Sequence, residues 1–185
     1  VIGTSIGIGI FELAASQIEK KISTETEKVI QGRGWPNGCH ISEVEIDPET
    51  GVVSLVSHGS VDDTGIPINP MIVEGQLHGG IAQGAGQALL ELAHYDLEGQ
   101  LLTSSFMDYA IPRSDDLPYF NTNIYEKAPA KNNPLGAKGV GEIGVVGSIP
   151  SIANAIFDVL WQRGVNHFDM PAQPFKIWKL LHERS

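Results

Sequence analysis

The run Lys138-Gly139-Val140-Gly141-Glu142, inside the longer stretch Asn133 to Ile149, restricts this chain more than any other segment. Glycines 139, 141 and 144 frame one carboxylate, and a helical pattern follows at once. Backbone without side chains can lie close to a ligand or take φ > 0. Gly139 to Gly144 reads G-x-G-x-x-G, and Asp158 follows at about the distance of a ribose-binding acid. That dinucleotide fingerprint needs a buried strand directly before it. Residues Lys131 to Lys138 (KNNPLGAK) are polar and turn-rich, and a glutamate inside the phosphate turn would repel a pyrophosphate. A phosphate-binding P-loop is excluded, since no Gly-Lys-Ser/Thr occurs. Two readings stay open for Glu142. It is a solvated acid at a helix start, favourable by roughly 0.3–1 kcal/mol with the helix dipole, or a general base held beside a ligand.

A second segment, Val73 to Leu92, has helical length and helical apolar spacing at Ala85, Ala88, Leu89 and Leu92. It also carries Gly75, Gly79, Gly80, Gly84 and Gly86. An interior helix glycine costs roughly 1 kcal/mol against alanine, so five are comparable to a domain's net stability. They serve either close helix packing or the approach of a ligand to the backbone. Gln76 and Gln83 lie seven apart, on one helical face, and offer amides to a polar ligand.

The remaining pattern mixes strands and helices. Phe11, Ala14, Ala15, Ile18 and Ile22 predict a helix over about Ile10 to Ile22, behind a glycine-rich lead-in. Trp35 to Gly38 is turn chemistry; Ile41, Val44 and Ile46 predict a strand; Asp47 to Gly51 is a hairpin loop; Val52 to Ser57 is the return strand. Further strands are expected at Leu101 to Phe106 and Asn121 to Tyr125. Ser148 is expected to cap a helix with Pro150 in its first turn and Ile152, Ile156, Val159 and Leu160 as its buried stripe. A last helix starts near Pro174 and presents Phe175, Ile177, Trp178 and Leu181. The expected fold class is α+β: a mixed or antiparallel sheet with hairpins, packed by helices.

Composition narrows the partners. A net charge of −10 argues against nucleic acid or an anionic membrane. The apolar opening, Val1 to Ala15, is too short for a membrane span and lacks a basic leader. One cysteine, Cys39, excludes a disulfide framework and a Cys-ligated cluster within this chain; it is expected to be a small buried residue in a reducing, cytoplasmic setting. The six histidines form no close pair, so no metal ligands are assigned.

Gln76-Leu77-His78-Gly79-Gly80-Ile81-Ala82-Gln83-Gly84 resembles the glutamine-glycine segment of the molybdenum hydroxylases: xanthine dehydrogenase, aldehyde oxidoreductase and the large subunit of aerobic carbon monoxide dehydrogenase. Asn133 to Glu142 is similar to their pterin-contacting loop with its catalytic glutamate. The resemblance extends over Glu43 to Gly51, Asp62 to Pro70, Ser105 to Pro118 and Asp169 to Trp178, most of the chain from Trp35 onward.

The resemblance implies that Glu142 is the general base, acting on a hydroxide held by molybdenum that attacks an electron-poor carbon beside nitrogen or oxygen. Gln76 would hydrogen-bond the cofactor, with Gly79 and Gly80 beside it, and Lys138, Gly139, Val140 and Gly141 would contact it through their backbone. Thr4 and Ser5 match a further contact loop. No protein side chain would ligate the metal. The implied cofactor is a molybdopterin, in a dinucleotide form, with iron–sulfur clusters and FAD on other domains or subunits. Family large subunits are several times longer, and this sequence begins without Met in mid-pattern. Residues 1–185 are therefore expected to be a C-terminal part of a molybdopterin-binding domain, as a fragment or split subunit, with residues 1–30 as lead-in and helix. Alone it is expected to be inactive and to self-associate through surface that the rest of the large chain covers. The competing class is a non-catalytic docking or regulatory module derived from the same fold, which would have no need of Glu142.

Overall fold

The computed structural model describes residues 34–183. The expected helix over Ile10 to Ile22, and Thr4 and Ser5, lie outside the described residues. The architecture is α+β. Three strands, β1 (Asn37–Ile46), β2 (Val53–Asp63) and β3 (Phe120–Ile124), form one sheet in that order. Strands β1 and β2 are an antiparallel hairpin, and β3 joins β2 in parallel, so the sheet is mixed.

The hairpin loop is closed by Asp47. Its side chain accepts from the Glu49 N–H and the Thr50 hydroxyl, while its carbonyl accepts from Gly51 N–H. Along β1 the side chains alternate strictly: His40, Ser42, Val44 and Ile46 turn inward, and Ile41, Glu43 and Glu45 turn outward. Ile41 and Cys39 are therefore exposed, which corrects the expectation of a buried cysteine. Strand β2 runs six residues past the expected Ser57. Glu43 pairs with Ser57 but Val44 with Leu55, which leaves Val56 as the extra residue of a β-bulge. The bulge reverses the inward parity, from Val53 and Leu55 to His58, Ser60 and Asp62. One sheet face is thus apolar at the hairpin loop and polar at the opposite end.

Helix α1 (Pro70–Leu89) starts where Pro70 has no N–H to lose and Asn69 accepts from Ile72 N–H at 3.3 Å. Helix α2 (Ile143–Gln162) starts five residues before the expected cap. Ser148 is instead buried in its interior, returning its hydroxyl to the Val145 carbonyl, and Pro150 sits mid-helix on the exposed side. Gly144 and Gly147 favour helix poorly, but tertiary packing outweighs propensity. Leu77, Gly80 and Ile81 of α1 lie directly against Gly144, and Gly84 lies against Ser148. Helix α2 is long and apolar enough to cross a membrane, yet its buried stripe of Ile152, Ile156 and Leu160 belongs to the core.

The core joins Leu55 and Phe120 of the sheet, Ile81, Ala85 and Ala88 of α1, that α2 stripe, and Ile177 of the final helix α3 (Pro174–His182). Phe175, expected on the apolar face of α3, points to solvent. The expected strand over Leu101 to Phe106 is absent; only the isolated pair Tyr95 and Leu101 bridges. Thr103 explains why. Its hydroxyl donates to the Leu92 carbonyl and accepts from His94 N–H, folding this stretch onto the end of α1.

Candidate functional site

The loop before α2 is built onto the end of β2. Lys138 N–H donates to the Thr64 carbonyl (2.9 Å), and Gly136 O accepts from both Ile66 N–H (3.0 Å) and Ala130 N–H (2.8 Å). That double role turns the chain at Gly136, where φ is +67°, a conformation few side chains tolerate. Asn133 clasps the same turn, donating to the Ala137 carbonyl and accepting from its N–H.

Lys138 turns its ammonium away from the glycines that follow it. The ammonium pairs with Asp63 at 2.5 Å, with both side chains about nine-tenths buried. Burial opposes ionisation of Asp63. The Lys138 hydrogen bond and charge, with Gly65 N–H and Asn37, nevertheless hold its carboxyl below the usual range. Lys138 thus anchors the loop and leaves only its backbone for a ligand.

Past this anchor the backbone is open. A Cβ at Gly139 would meet nothing within 4 Å, and at Gly141 only the Gln76 amide nitrogen, 3.9 Å away. Two motifs more than 60 positions apart in sequence therefore meet at Gln76 and Gly141. Gly79 also faces open space, whereas Gly80 turns to the opposite side and packs on Gly144 and Val145. Gln83 is exposed one heptad along from Gln76. Glu142 is the N-terminal flanking residue of α2, and its carboxylate caps no backbone N–H. It is exposed at the rim of a cleft of about 520 Å³ that Val140, Glu142 and Val146 share with Trp35, His40 and Asp62.

The floor of this cleft holds residues that the sequence pattern did not single out. His40 Nε2 lies 3.1 Å from Asp62 Oδ1, with side-chain exposures of 4% and 0%. His40 Nδ1 lies 3.1 Å from His58 Nε2; His58 Nδ1 lies 2.9 Å from Ser42 Oγ; and Ser42 meets Ser151 of α2 at 2.7 Å. Ser60 donates to the second Asp62 oxygen. Burial, and next the neighbouring His40, push the His58 imidazole down to about 4, against the pull of Asp62. The available signal was parity: His40 and Ser42 share the inward register of Val44 and Ile46. For His58, Ser60 and Asp62 no such signal existed, because the bulge at Val56 shifts the register.

Residues 9–118 match the family described as the molybdopterin cofactor-binding domain. The chain is 38% identical over 151 residues to the carbon monoxide dehydrogenase large chain of Hydrogenophaga pseudoflava, covering 82% of this chain and 19% of that one. It is 42% identical over 143 residues to the nicotine 6-hydroxylase large subunit of Paenarthrobacter nicotinovorans, covering 77% and 17%. In structure it is similar to the Cu,Mo-CO dehydrogenase (TM-score 0.76, 36% identity, 80% of this chain and 19% of that one). It is also similar to quinoline 2-oxidoreductase from Pseudomonas putida 86 (TM-score 0.73, 40% identity, 77% and 18%). The chain thus spans about a fifth of the length of these relatives.

Proposed function

This chain belongs to the molybdopterin cofactor-binding domain family, and from that premise we propose that it is the part of a molybdenum hydroxylase-type oxidoreductase that carries the general base, Glu142. The observation that supports this most directly is the meeting of Gln76 with Gly141 beside an uncapped Glu142. Open backbone at Gly139 and Gly141, an amide within reach and a carboxylate at the cleft rim form a cradle that side chains would fill. This suits a flat, polar pterin. The bound group would supply a redox metal able to accept two electrons.

The chain's own residues divide the remaining work. The Gln76 amide and the backbone from Lys138 to Gly141 hold the pterin, with Gly79 leaving room beside them. Gly80 contributes from behind, by letting α1 reach Gly144. Thr4 and Ser5 complete the contact set in this reading. Glu142 takes the proton from the attacking oxygen nucleophile; an exposed carboxylate that caps no helix N–H is free to do so. The substrate class is an aldehyde or N-heteroaromatic carbon, and nicotine and quinoline, for which two relatives are named, are N-heteroaromatics. A dinucleotide form of the cofactor, iron–sulfur and flavin partners on other domains or subunits, and a cytoplasmic setting belong to the same proposal.

The remainder of the large chain is the principal partner, and the isolated 185-residue chain is inactive. Stoichiometric molybdenum in the purified chain, with dye-linked oxidation of an aldehyde or N-heterocycle, would refute that. For the base, the test is reconstitution with the missing N-terminal part. Glu142→Gln should lower turnover roughly 10²–10⁴-fold while pterin content is retained. Turnover equal to the parent would remove Glu142 from this role.

A further inference from the structure

Among the described residues, no cap hydrogen bond at the start of α2 holds the Glu142 carboxylate. Its position must come from contacts further along the helix. Two grips are visible. Gly144 rests on α1 at Leu77, Gly80 and Ile81, and Gly147 rests on the His40 ring, where a Cβ would overlap Cδ2, Nε2 and Cγ. One turn beyond Gly147, Ser151 is tied through Ser42 to His58, the histidine that His40 also contacts. The same α2 face is therefore held twice by one buried network, once by contact and once by hydrogen bond.

With both rings neutral, the network runs in one direction. A carboxylate only accepts, so Asp62 Oδ1 takes a hydrogen bond from His40 Nε2–H. In neutral His40 this leaves Nδ1 as an acceptor, which requires His58 to donate from Nε2–H. His58 Nδ1 then accepts from the Ser42 hydroxyl, and Ser42 accepts from Ser151. Every buried polar atom along this path then has a partner. Among the described residues, the charged and titratable groups around His40 are His58 and Asp62 from β2, with Glu142 across the cleft from α2.

We propose that the His40–Asp62 pair is a positioning device: Asp62 locks the tautomer and plane of the imidazole on which α2 rests, and this places Glu142 at the cleft. His40 touches no reacting atom in this scheme and acts through the helix. The catalytic consequence rests on the reading of Glu142 as base, whereas the tautomer lock does not.

Nitrogen-15 NMR of labelled histidines in the 185-residue chain tests the lock. His40 and His58 should both appear as the Nε2–H tautomer at neutral pH, and Asp62→Leu should convert His40 to a mixture of tautomers. An unlocked His40 in the parent, or a His40 signal indifferent to Asp62→Leu, would overturn the proposal. Gly147→Ala should unlock His40 and shift the backbone amides of Gly141 to Ile143. Gly75→Ala, whose Cβ meets nothing within 4 Å, should do neither; unmoved amides in Gly147→Ala would also count against the idea.

In the reconstituted enzyme, His40→Gln should lower kcat on the order of 10–100-fold with KM and pterin content within about twofold of the parent, as expected for a base displaced by about 1 Å. Unchanged kcat alongside an inactive Glu142→Gln would sink the positioning role alone. If Glu142→Gln is itself fully active, the base reading fails, while the NMR result still decides the lock.

Discussion

At the scale of single residues, two buried groups near the cleft are moved from their ordinary titration. Asp63 is held ionised by Lys138, and His58 is held neutral by burial. The second has a measurable consequence. Free histidine titrates near 6.5 and His58 near 4, so between these values the unfolded chain binds a proton that the native chain refuses. Its contribution to stability is complete above about pH 6.5 and is lost as the pH falls toward 4, by roughly 3 kcal/mol over the window. Urea denaturation between pH 4 and 7 should show this slope. His58→Phe, which keeps the ring against Phe120 but cannot be protonated, should flatten it. An equally steep slope in that variant would mean that other groups carry the dependence. Glu142 itself was legible without a structure, because glycines on both sides of one carboxylate form a pattern of local sequence. His40, His58 and Asp62 were not, since their meeting depends on strand pairing and on one bulged residue.

Among the elements, the α1–α2 crossing decides most. The helix-packing reading of the glycine-rich helix holds on one side of it, and the other side is left open. Gly80 and Gly84 admit α2, while Gly75 and Gly79 leave open surface. A periodic pattern shows that small residues repeat along a helix but not what each side meets. A Cβ at Gly144 would sit 2.5 Å from the Leu77 carbonyl oxygen and 3.1 Å from the Ile81 nitrogen, backbone atoms that cannot rotate aside. Gly144→Ala is therefore expected to destabilise by about 1–3 kcal/mol through overpacking, in spite of alanine's better helix propensity. Thermal unfolding compared with Gly75→Ala, which should be neutral or stabilising, checks this. The early start of α2 has the same origin: Gly144 and Gly147 read as helix breakers, and they are tolerated because larger residues would not fit there.

Taken as a whole, the described residues leave many large apolar side chains in water. Ile68, Met71 and Ile72 are 67%, 75% and 59% exposed around the start of α1, and Phe106 and Met107 are 85% and 93% exposed in the loop after it. The chain spans about a fifth of its relatives' length, and the proposed remainder of the large chain would cover a surface of this kind. The isolated chain should therefore self-associate. Light scattering at rising concentration should show mass above the monomer value of 19.9 kDa, whereas a clean monomer would speak against an uncovered interface.

The sequence by itself determined the hairpin, the existence of both long helices, the final helix and the α+β class. Each of these rests on period, turn residues or length, which are local properties. It also marked Gln76 and the Lys138 to Glu142 run as unusual, because glycine density is visible in a string. Only the tertiary structure decided that the Gln76 amide approaches Gly141, that Lys138 spends its charge on Asp63, and that Ser148 lies inside a helix. The polar floor beneath Glu142 belongs to the same group. Those are contacts between residues distant along the chain, and their energies arise from burial and mutual exclusion, which no local pattern encodes.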